Sequence, residues 1–276
     1  MTPKKKKPNL KSYKAKRGVK LQLSSSKKLY DLTQEWGAGI PPWPYFPDSV
    51  VSSFHRFPRD TLHSMRVDTA MHVGTHVDAP LHFNPEGWDS AEIPLDVLFH
   101  EGIVVDLEKE LDDFDIITPK MVEDKVDVKD GDVLILHTGW HKYHWMAQNK
   151  NEDKYFTRHP APHVEFAKWV IKKKLRWLGA DTPALDHPLN TAIRKMRPEL
   201  ADEFARKQGQ SLDTLLPMNQ FLQVHRMTAK ENILLVENIA GEIDQVLGRR
   251  MKFGAFPWRF IRGEASICRV VAFEGF

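Results

Sequence analysis

Short runs rich in apolar and β-branched residues recur along the chain and predict β-strands. These predicted strands are Ser64–Asp68, Gly102–Leu107, Asp132–His137, Trp177–Ala180, Ile233–Glu237 and Ile267–Phe273. Two further segments, Pro162–Lys174 and Pro198–Gln208, predict helices that begin at proline. Strands outnumber helices and do not alternate strictly with them. The pattern therefore predicts an α/β protein with a mixed β-sheet or barrel-like β core and flanking helices.

The same pattern indicates one domain with additions. Residues 1–22 predict a basic arm that is disordered or ordered only by a partner, and residues 23–276 predict a single domain with an insert around 190–220. Residues 37–47 contain too many prolines for a helix or strand, so they predict a rigid loop that carries aromatic side chains.

Composition narrows the class of protein. The chain is 41% hydrophobic and 28% charged, which is typical of a globular protein. No apolar stretch approaches the roughly 20 residues that cross a bilayer. Cys268 is the single cysteine and is expected in the core, so no disulfide can form within the chain. We therefore expect a soluble, cytoplasmic protein without membrane contact.

Charge is distributed unevenly. Residues 1–20 hold nine of the 40 lysines and arginines and no acid, which leaves 31 basic against 37 acidic residues in the remainder. Such an arm can be a nuclear-import or nucleic-acid patch. A solvated terminus is the preferred interpretation, because no run of aromatic residues is interleaved with the arm to stack on bases.

The candidate chemistry is concentrated in residues 72–82. The polar side chains at even positions are His72, His76, Asp78 and His82, whereas the odd positions are apolar or threonine. In an extended chain the two sets point to opposite faces, so one face collects imidazoles and a carboxylate. Gly74 and Pro80 argue against a helix here.

This face predicts a metal site, provided that the backbone bends. A straight strand would separate His72 from His76 by about 13 Å, whereas metal–nitrogen bonds are only about 2.0–2.1 Å long. Gly74 is the residue that best permits a bend. One histidine alone would be an ordinary core or surface residue, but three with an aspartate are costly to bury without a cation. Imidazole and carboxylate ligands favour zinc, manganese or iron over calcium.

The segment His72–His82 also resembles a known family. It matches the HxGTHxDxPxH signature of the cyclase-like hydrolases, which include bacterial kynurenine formamidases and isatin hydrolases, at every fixed position. The likeness extends from about residue 29 to the end of the chain. Its other parts are Pro42-Trp43-Pro44, Thr138-Gly139-Trp140, Gly179 to Asp186, and the pair His225 and Glu237.

The resemblance implies roles for single residues. His72, His76 and Asp78 would bind a divalent metal, zinc or manganese, and His225 and Glu237 would join Asp78 around a second ion in the formamidase branch. One manganese is implied in the isatin hydrolase branch. His82 would donate and accept protons, and Trp43 would line the substrate pocket. Without the resemblance, His225 and Glu237 would be taken for ordinary polar residues. The implied fold is a swivelling β/β/α type, and the implied assembly is a dimer or tetramer.

The activity that the resemblance implies is hydrolysis of an amide in a small molecule. The chemistry of a metal site agrees with it, because a divalent cation lowers the pKa of bound water and polarises a carbonyl. Two alternatives stay open, a lyase or cyclase on the same scaffold and a non-catalytic metal-binding protein. The insert at 195–210 and the long segment 35–59 depart from compact formamidases, so aryl formamides, cyclic amides and related carbonyl compounds all remain candidate substrates. His137, His141 and His144 are expected to be exposed, and a group that supports the metal ligands from behind is the alternative.

Overall fold

The computed structural model describes residues 27–276, so the predicted basic arm at 1–22 lies outside the described residues. The strands are β1 (Lys28–Asp31), β2 (Val50–His55), β3 (Ser64–Asp68), β4 (His76–Asp78), β5 (Phe99–Asp106), β6 (Ile116–Ile117), β7 (Val133–His137), β8 (Ala161–Pro162), β9 (Trp177–Ala180), β10 (Leu234–Glu237), β11 (Arg250–Pro257) and β12 (Ala265–Glu274). The helices are α1 (Leu95–Leu98), α2 (Pro119–Glu123), α3 (Glu152–Thr157), α4 (Val164–Lys172), α5 (Ile193–Met196), α6 (Glu199–Gln208), α7 (Leu212–Leu215) and α8 (Gln223–Lys230).

Seven strands close into a barrel in the order β12-β11-β5-β7-β9-β10-β4, and β4 pairs back with β12. β5, β7, β9 and β10 are parallel neighbours, whereas β11, β12 and β4 pair antiparallel. β1 extends the sheet beside β12. The predicted α/β class with a barrel-like β core and flanking helices is therefore confirmed.

Side-chain alternation along the strands builds two apolar layers. On β7, Val133 and Ile135 belong to a cluster that takes residues from all seven barrel strands, which is the packed interior. Leu134 and Leu136 point the other way and pack with Phe166 of α4. Parallel strands covered on both faces have near-continuous apolar runs, which is why this strand could be predicted from its sequence.

The segment predicted as an insert forms its own small apolar core. Its helices α5 to α7 form a separate apolar cluster, and Trp43 packs against the edge of that cluster. The cluster consists of Phe114, Leu189, Ile193, Leu200, Phe204, Leu212 and Leu216. α6 ends at Gly209, whose φ of +68° is the left-handed conformation expected of a glycine that ends a helix.

Several elements were not predicted, among them β2, β11 and α8. β2 pairs only with β3, in a hairpin apart from the barrel. The proline-rich loop at 37–47 contains no strand or helix, as predicted. Within residues 27–276, no helix is both long and apolar enough to span a membrane.

Candidate metal centre

The predicted bend lies between His72 and His76. Residues 71–75 are bent rather than extended, and Gly74 has a φ of +67°. The Nδ1 of His76 lies 2.8 Å from the backbone oxygen of Gly74, so its Nε2 is directed away from the bend. The His72 and His76 rings are 5.1 Å apart between centroids. The bend therefore brings together side chains that a straight strand would hold apart.

Asp78 is the carboxylate on which three imidazoles converge. Its Oδ1 lies 2.8 Å from Nδ1 of His72 and 3.2 Å from Nε2 of His76. Its Oδ2 lies 3.3 Å from Nε2 of His225. β4 is buried between β10 and β12, which holds this carboxylate in the wall of the barrel.

The β-sheet register brings Glu237 to the same place. Residue 237, the last of β10, pairs with His76 of β4. Its Oε2 lies 3.5 Å from Nε2 of His76, and its Oε1 lies 3.2 Å from Nε2 of His225. The backbone N–H of Leu185 donates to Oε1 at 2.7 Å, which fixes the carboxylate.

α8 contributes His225 through a buried carboxylate, that of Asp186. The Nδ1 of His225 lies 2.7 Å from Oδ2 of Asp186, and the backbone N–H groups of Val224 and His225 each donate to this carboxylate at 3.1 Å. Asp186 thus binds the first turn of α8 and orients the imidazole, with Nε2 directed towards Asp78. The sequence signal for this residue was its place at the end of the Gly179 to Asp186 element, which gave it no individual role.

The chemistry of this donor set fits a divalent cation. Nε2 of His76 and both carboxylate oxygens of Asp78 are buried and make no well-directed hydrogen bond among the described residues, although imidazole nitrogens lie 2.8–3.3 Å from the two Asp78 oxygens. His76, Asp78 and Glu237 each offer one ligand atom within 4.8 Å of the others, and so do His72, Asp78 and His82. Buried polar atoms need partners, and imidazole with carboxylate is a donor set for zinc or manganese.

The electrostatic field at the site is negative. Burial opposes protonation of His72, but the carboxylates of Asp78 and Glu264 outweigh it and raise the pKa of His72 to about 10. Glu264 accepts a hydrogen bond from Nε2 of His72 at 3.0 Å. The carboxylates that favour a proton on this imidazole also favour a metal cation. Sequence reasoning missed Glu264, which precedes β12 without any local motif.

His82 occupies the rim of the site. It ends the short 3-10 turn Pro80–His82, and its ring centroid is 4.3 Å from that of His72. Burial, with the neighbouring imidazoles, outweighs nearby carboxylates and lowers the pKa of His82 to about 4. The imidazole is therefore neutral at pH 7 and has a lone pair that can accept a proton.

A cavity of about 280 Å³ opens beside these residues. All seven residues singled out in the sequence line it: Trp43, His72, His76, Asp78, His82, His225 and Glu237. Tyr45, Phe46, Phe83 and Phe221 add an aromatic wall. The Trp43 ring also packs edge-on against Phe156, with centroids 6.0 Å apart. The volume is close to the lower bound of about 300 Å³ that is usual for small-molecule sites.

The expectation of exposed histidines was wrong for His137 and His141. Both are buried, with exposed fractions of 0% and 7%. Burial is possible because the carboxylates of Asp106, Asp181 and Asp244 surround the two rings, and local sequence gives no sign of this.

Comparison with known proteins gives three likenesses and one family match. A family model described as "Putative cyclase" matches residues 30–187. Kynurenine formamidase of Erythrobacter litoralis (strain HTCC2594) is 22% identical over 253 residues, which covers 91% of this chain and 95% of that protein. Isatin hydrolase A from Labrenzia aggregata, bound to benzyl benzoate, has a TM-score of 0.71 at 19% identity and covers 92% of this chain and 96% of its own. A structure described as a potential metal-dependent hydrolase with cyclase activity has a TM-score of 0.64 at 20% identity, over 91% of this chain and 99% of that one.

Proposed function

From the premise that this chain belongs to the cyclase family, we propose that it is a metal-dependent hydrolase that cleaves an amide bond in a small molecule. The observation that carries the proposal is the group of buried potential ligand atoms on His76 and Asp78, which make no well-directed hydrogen bond among the described residues. They lie at the wall of a cavity that also exposes the neutral imidazole of His82. Similarity to proteins named kynurenine formamidase and isatin hydrolase supports an amide as the bond cleaved.

We propose that His72, His76 and Asp78 hold one divalent ion, zinc or manganese, and that Glu237 and His225 hold a second ion with Asp78 or complete the first. The support is geometric, because Asp78 has one oxygen towards His76 and the other towards His225. A divalent ion at such a site supplies a Lewis acid and lowers the pKa of bound water.

His82 is the proposed general base and acid. Its neutral ring lies in the cavity, so Nδ1 or Nε2 can accept a proton from the attacking water and return it to the leaving nitrogen. His72 is less suited to this role, since both of its ring nitrogens lie within 3.0 Å of carboxylate oxygens.

The aromatic wall of the cavity indicates the class of substrate. Trp43, Phe46 and Phe221 line the same cavity as the polar residues, which suits a flat aryl or cyclic amide bound with its carbonyl towards Asp78. Thr191 and Ala192, at the start of the insert, also line the cavity. We therefore propose that the insert shapes the substrate preference.

The test is an activity panel with protein loaded with Zn²⁺ or Mn²⁺ and offered N-formylkynurenine, isatin and a cyclic imide. We expect turnover of at least one compound, with one oxygen from H₂¹⁸O entering the product. Turnover without ¹⁸O would indicate the lyase or cyclase alternative. Failure of every amide with metal bound would favour the non-catalytic alternative and contradict the proposal.

We also propose that the protein forms a dimer or tetramer through the β2–β3 hairpin. Phe54, Phe57 and Met65 are exposed on this hairpin, at 57%, 67% and 53%, and two-stranded hairpins are only marginally stable alone. The double variant Phe54→Ser/Met65→Ser should lower the mass measured by light scattering to that of a monomer. An unchanged mass, or a monomeric wild type, would contradict this interface.

A further inference from the structure

A second group of imidazoles and carboxylates lies outside the residues that line the cavity. His137 is the last residue of β7, and His141 belongs to the 3-10 turn Trp140–Tyr143 that follows it. Asp244 belongs to a 3-10 turn after β10, Ile243–Gln245. His137, His141 and Asp244 each offer one ligand atom, and these atoms lie within 4.8 Å of one another. The proposed hydrolysis assigns no role to any of them.

Separate carboxylates orient the two rings. Nδ1 of His137 lies 2.9 Å from Oδ1 of Asp106, and Nδ1 of His141 lies 2.9 Å from Oδ2 of Asp181. Asp181 is itself fixed, because the backbone N–H and the hydroxyl of Thr138 donate to its other oxygen at 2.9 and 2.7 Å. A metal-binding histidine characteristically has its second nitrogen bonded to a carboxylate in this way. The same pairing joins Asp186 to His225 in the candidate metal centre.

The free nitrogens of both rings then face one carboxylate. Nε2 of His137 lies 3.1 Å from Oδ1 of Asp244, and Nε2 of His141 lies 3.5 Å from its Oδ2. A neutral imidazole that donates from Nδ1 has only a lone pair on Nε2. Two lone pairs directed at one carboxylate repel it unless protons or a cation lie between them. A single cation bound to both nitrogens and to Asp244 removes both repulsions at once.

Access and local charge agree with this arrangement. The Asp244 side chain is 55% exposed, whereas that of His137 is 0% exposed, so the group of ligand atoms is buried on the imidazole side and open to solvent at Asp244. Glu108 adds a carboxylate beside His137 and Asp106. The neighbouring cation, Lys142, is paired with Glu108. The surroundings therefore carry more negative than positive charge.

We propose that His137, His141 and Asp244 bind a divalent transition-metal ion, with water in the remaining positions, at a site separate from the candidate metal centre. Two imidazoles and one carboxylate form a donor set suited to zinc and its neighbours rather than to calcium. An ion here would join the end of β7 to the segment that follows β10, and through Asp106 and Asp181 it would also restrain the ends of β5 and β9. The proposal does not depend on the hydrolytic function.

Zinc content measured after gel filtration tests the site. The test variant is Asp244→Asn, an isosteric change at a half-exposed position, and the matched control is Asp130→Asn at an exposed aspartate. We expect Asp244→Asn to lose one equivalent of zinc relative to wild type and to Asp130→Asn. Asp78→Asn, which alters the candidate metal centre, should keep that equivalent.

Thermal unfolding gives an independent readout. Zinc should raise the Tm of Asp78→Asn, and this rise should vanish in Asp78→Asn/Asp244→Asn. Anomalous diffraction from zinc-soaked wild-type crystals should place a peak between His137, His141 and Asp244. Equal zinc content in wild type and Asp244→Asn, together with no peak at this position while the candidate metal centre shows one, would overturn the proposal.

Discussion

At the scale of single residues, Asp78 and His72 each stabilise the charged form of the other. Burial opposes ionisation of Asp78, but His72 and the other imidazoles outweigh it and hold the pKa of this carboxyl well below its usual range. The side chain therefore stays charged inside the barrel wall. A buried carboxylate with three imidazoles around it can exchange protons for a metal ion at little electrostatic cost, since the negative charge is already present.

His82→Ala should lower kcat by about 10²- to 10⁴-fold, because the variant loses the proposed proton acceptor while the metal ligands stay in place. Metal content, measured by elemental analysis, should equal that of wild type. Steady-state kinetics on whichever amide the panel identifies would measure the effect. Wild-type turnover in this variant would remove His82 from the mechanism.

Asp186→Asn should weaken metal binding by about 10- to 100-fold, because the substitution removes the charge that orients the His225 ring. The amide oxygen of asparagine can still accept from the backbone of α8, so folding should be preserved. Competition with a chromogenic chelator gives the affinity, and circular dichroism gives the control for structure. Unchanged affinity would mean that His225 is not held as a ligand.

At the scale of elements, the bend before β4 depends on Gly74. A Cβ at this residue would lie 2.9 Å from Cδ1 of Ile40 and 3.0 Å from Cδ1 of Trp36, on a backbone with φ of +67°. The left-handed conformation alone costs an alanine about 1–2 kcal/mol. Close contact with these two side chains adds to this cost, and we expect it to displace His72 relative to His76.

Gly209 provides a matched control for that prediction. Its φ is +68°, yet no atom of residues 27–276 outside its own chain neighbours lies within 4 Å of the position that a Cβ would take. Gly209→Ala should therefore lose about 1–2 kcal/mol of unfolding free energy, and Gly74→Ala should lose more and also bind metal more weakly. Urea denaturation followed by metal titration measures both effects. Equal losses in the two variants would show that packing at Gly74 is not the cause.

Elements differed in how well their sequences predicted them. β7 has a continuous apolar run, and α6 begins after proline and ends at glycine, so local patterns were enough. In β11 the inward-facing residues Met251, Phe253 and Ala255 stand at alternate positions, as in a strand. The segment also contains Gly254 and ends at Pro257, which made it resemble a loop. α8 begins after Leu222 in the left-handed conformation and consists mostly of polar residues. Its stability comes from burial of one face, which the local sequence does not reveal.

At the scale of the whole molecule, barrel closure determines which predicted residues meet. The motif at 72–82 was enough to predict that the side chains of His72, His76 and Asp78 come together, because the bend and these residues lie within one segment. His225 and Glu237 reach the same carboxylate only because β10 pairs with β4 and Asp186 anchors the first turn of α8. Only resemblance to the family could single them out in advance. Glu264 and Asp244, which no motif marks, required the folded chain.

Because barrel closure brings the proposed ligands together, metal binding should also stabilise the whole fold against unfolding. The proposed ligands of the candidate metal centre come from the bend before β4, from β4, from β10 and from α8. An ion held by them would bind the folded state and not the unfolded chain. At a metal concentration 100 times the Kd, such binding stabilises by about 2.7 kcal/mol. In larger domains each kcal/mol raises the Tm by about 2–4 °C. Wild-type protein stripped with a chelator should therefore unfold at a lower temperature than the same protein reloaded with Zn²⁺ or Mn²⁺.

Scanning calorimetry of wild type, Asp244→Asn and Asp78→Asn separates the contributions of the two sites to the metal-dependent rise in Tm. Asp244→Asn should keep the part that belongs to the candidate metal centre, and Asp78→Asn should keep only the part that belongs to the second site. A shift of wild-type size in Asp78→Asn would mean that the ion does not bind where three imidazoles converge on one carboxylate. The proposed hydrolysis would then lose its metal, because within the described residues the cavity that carries His82 has no other comparable set of buried donors.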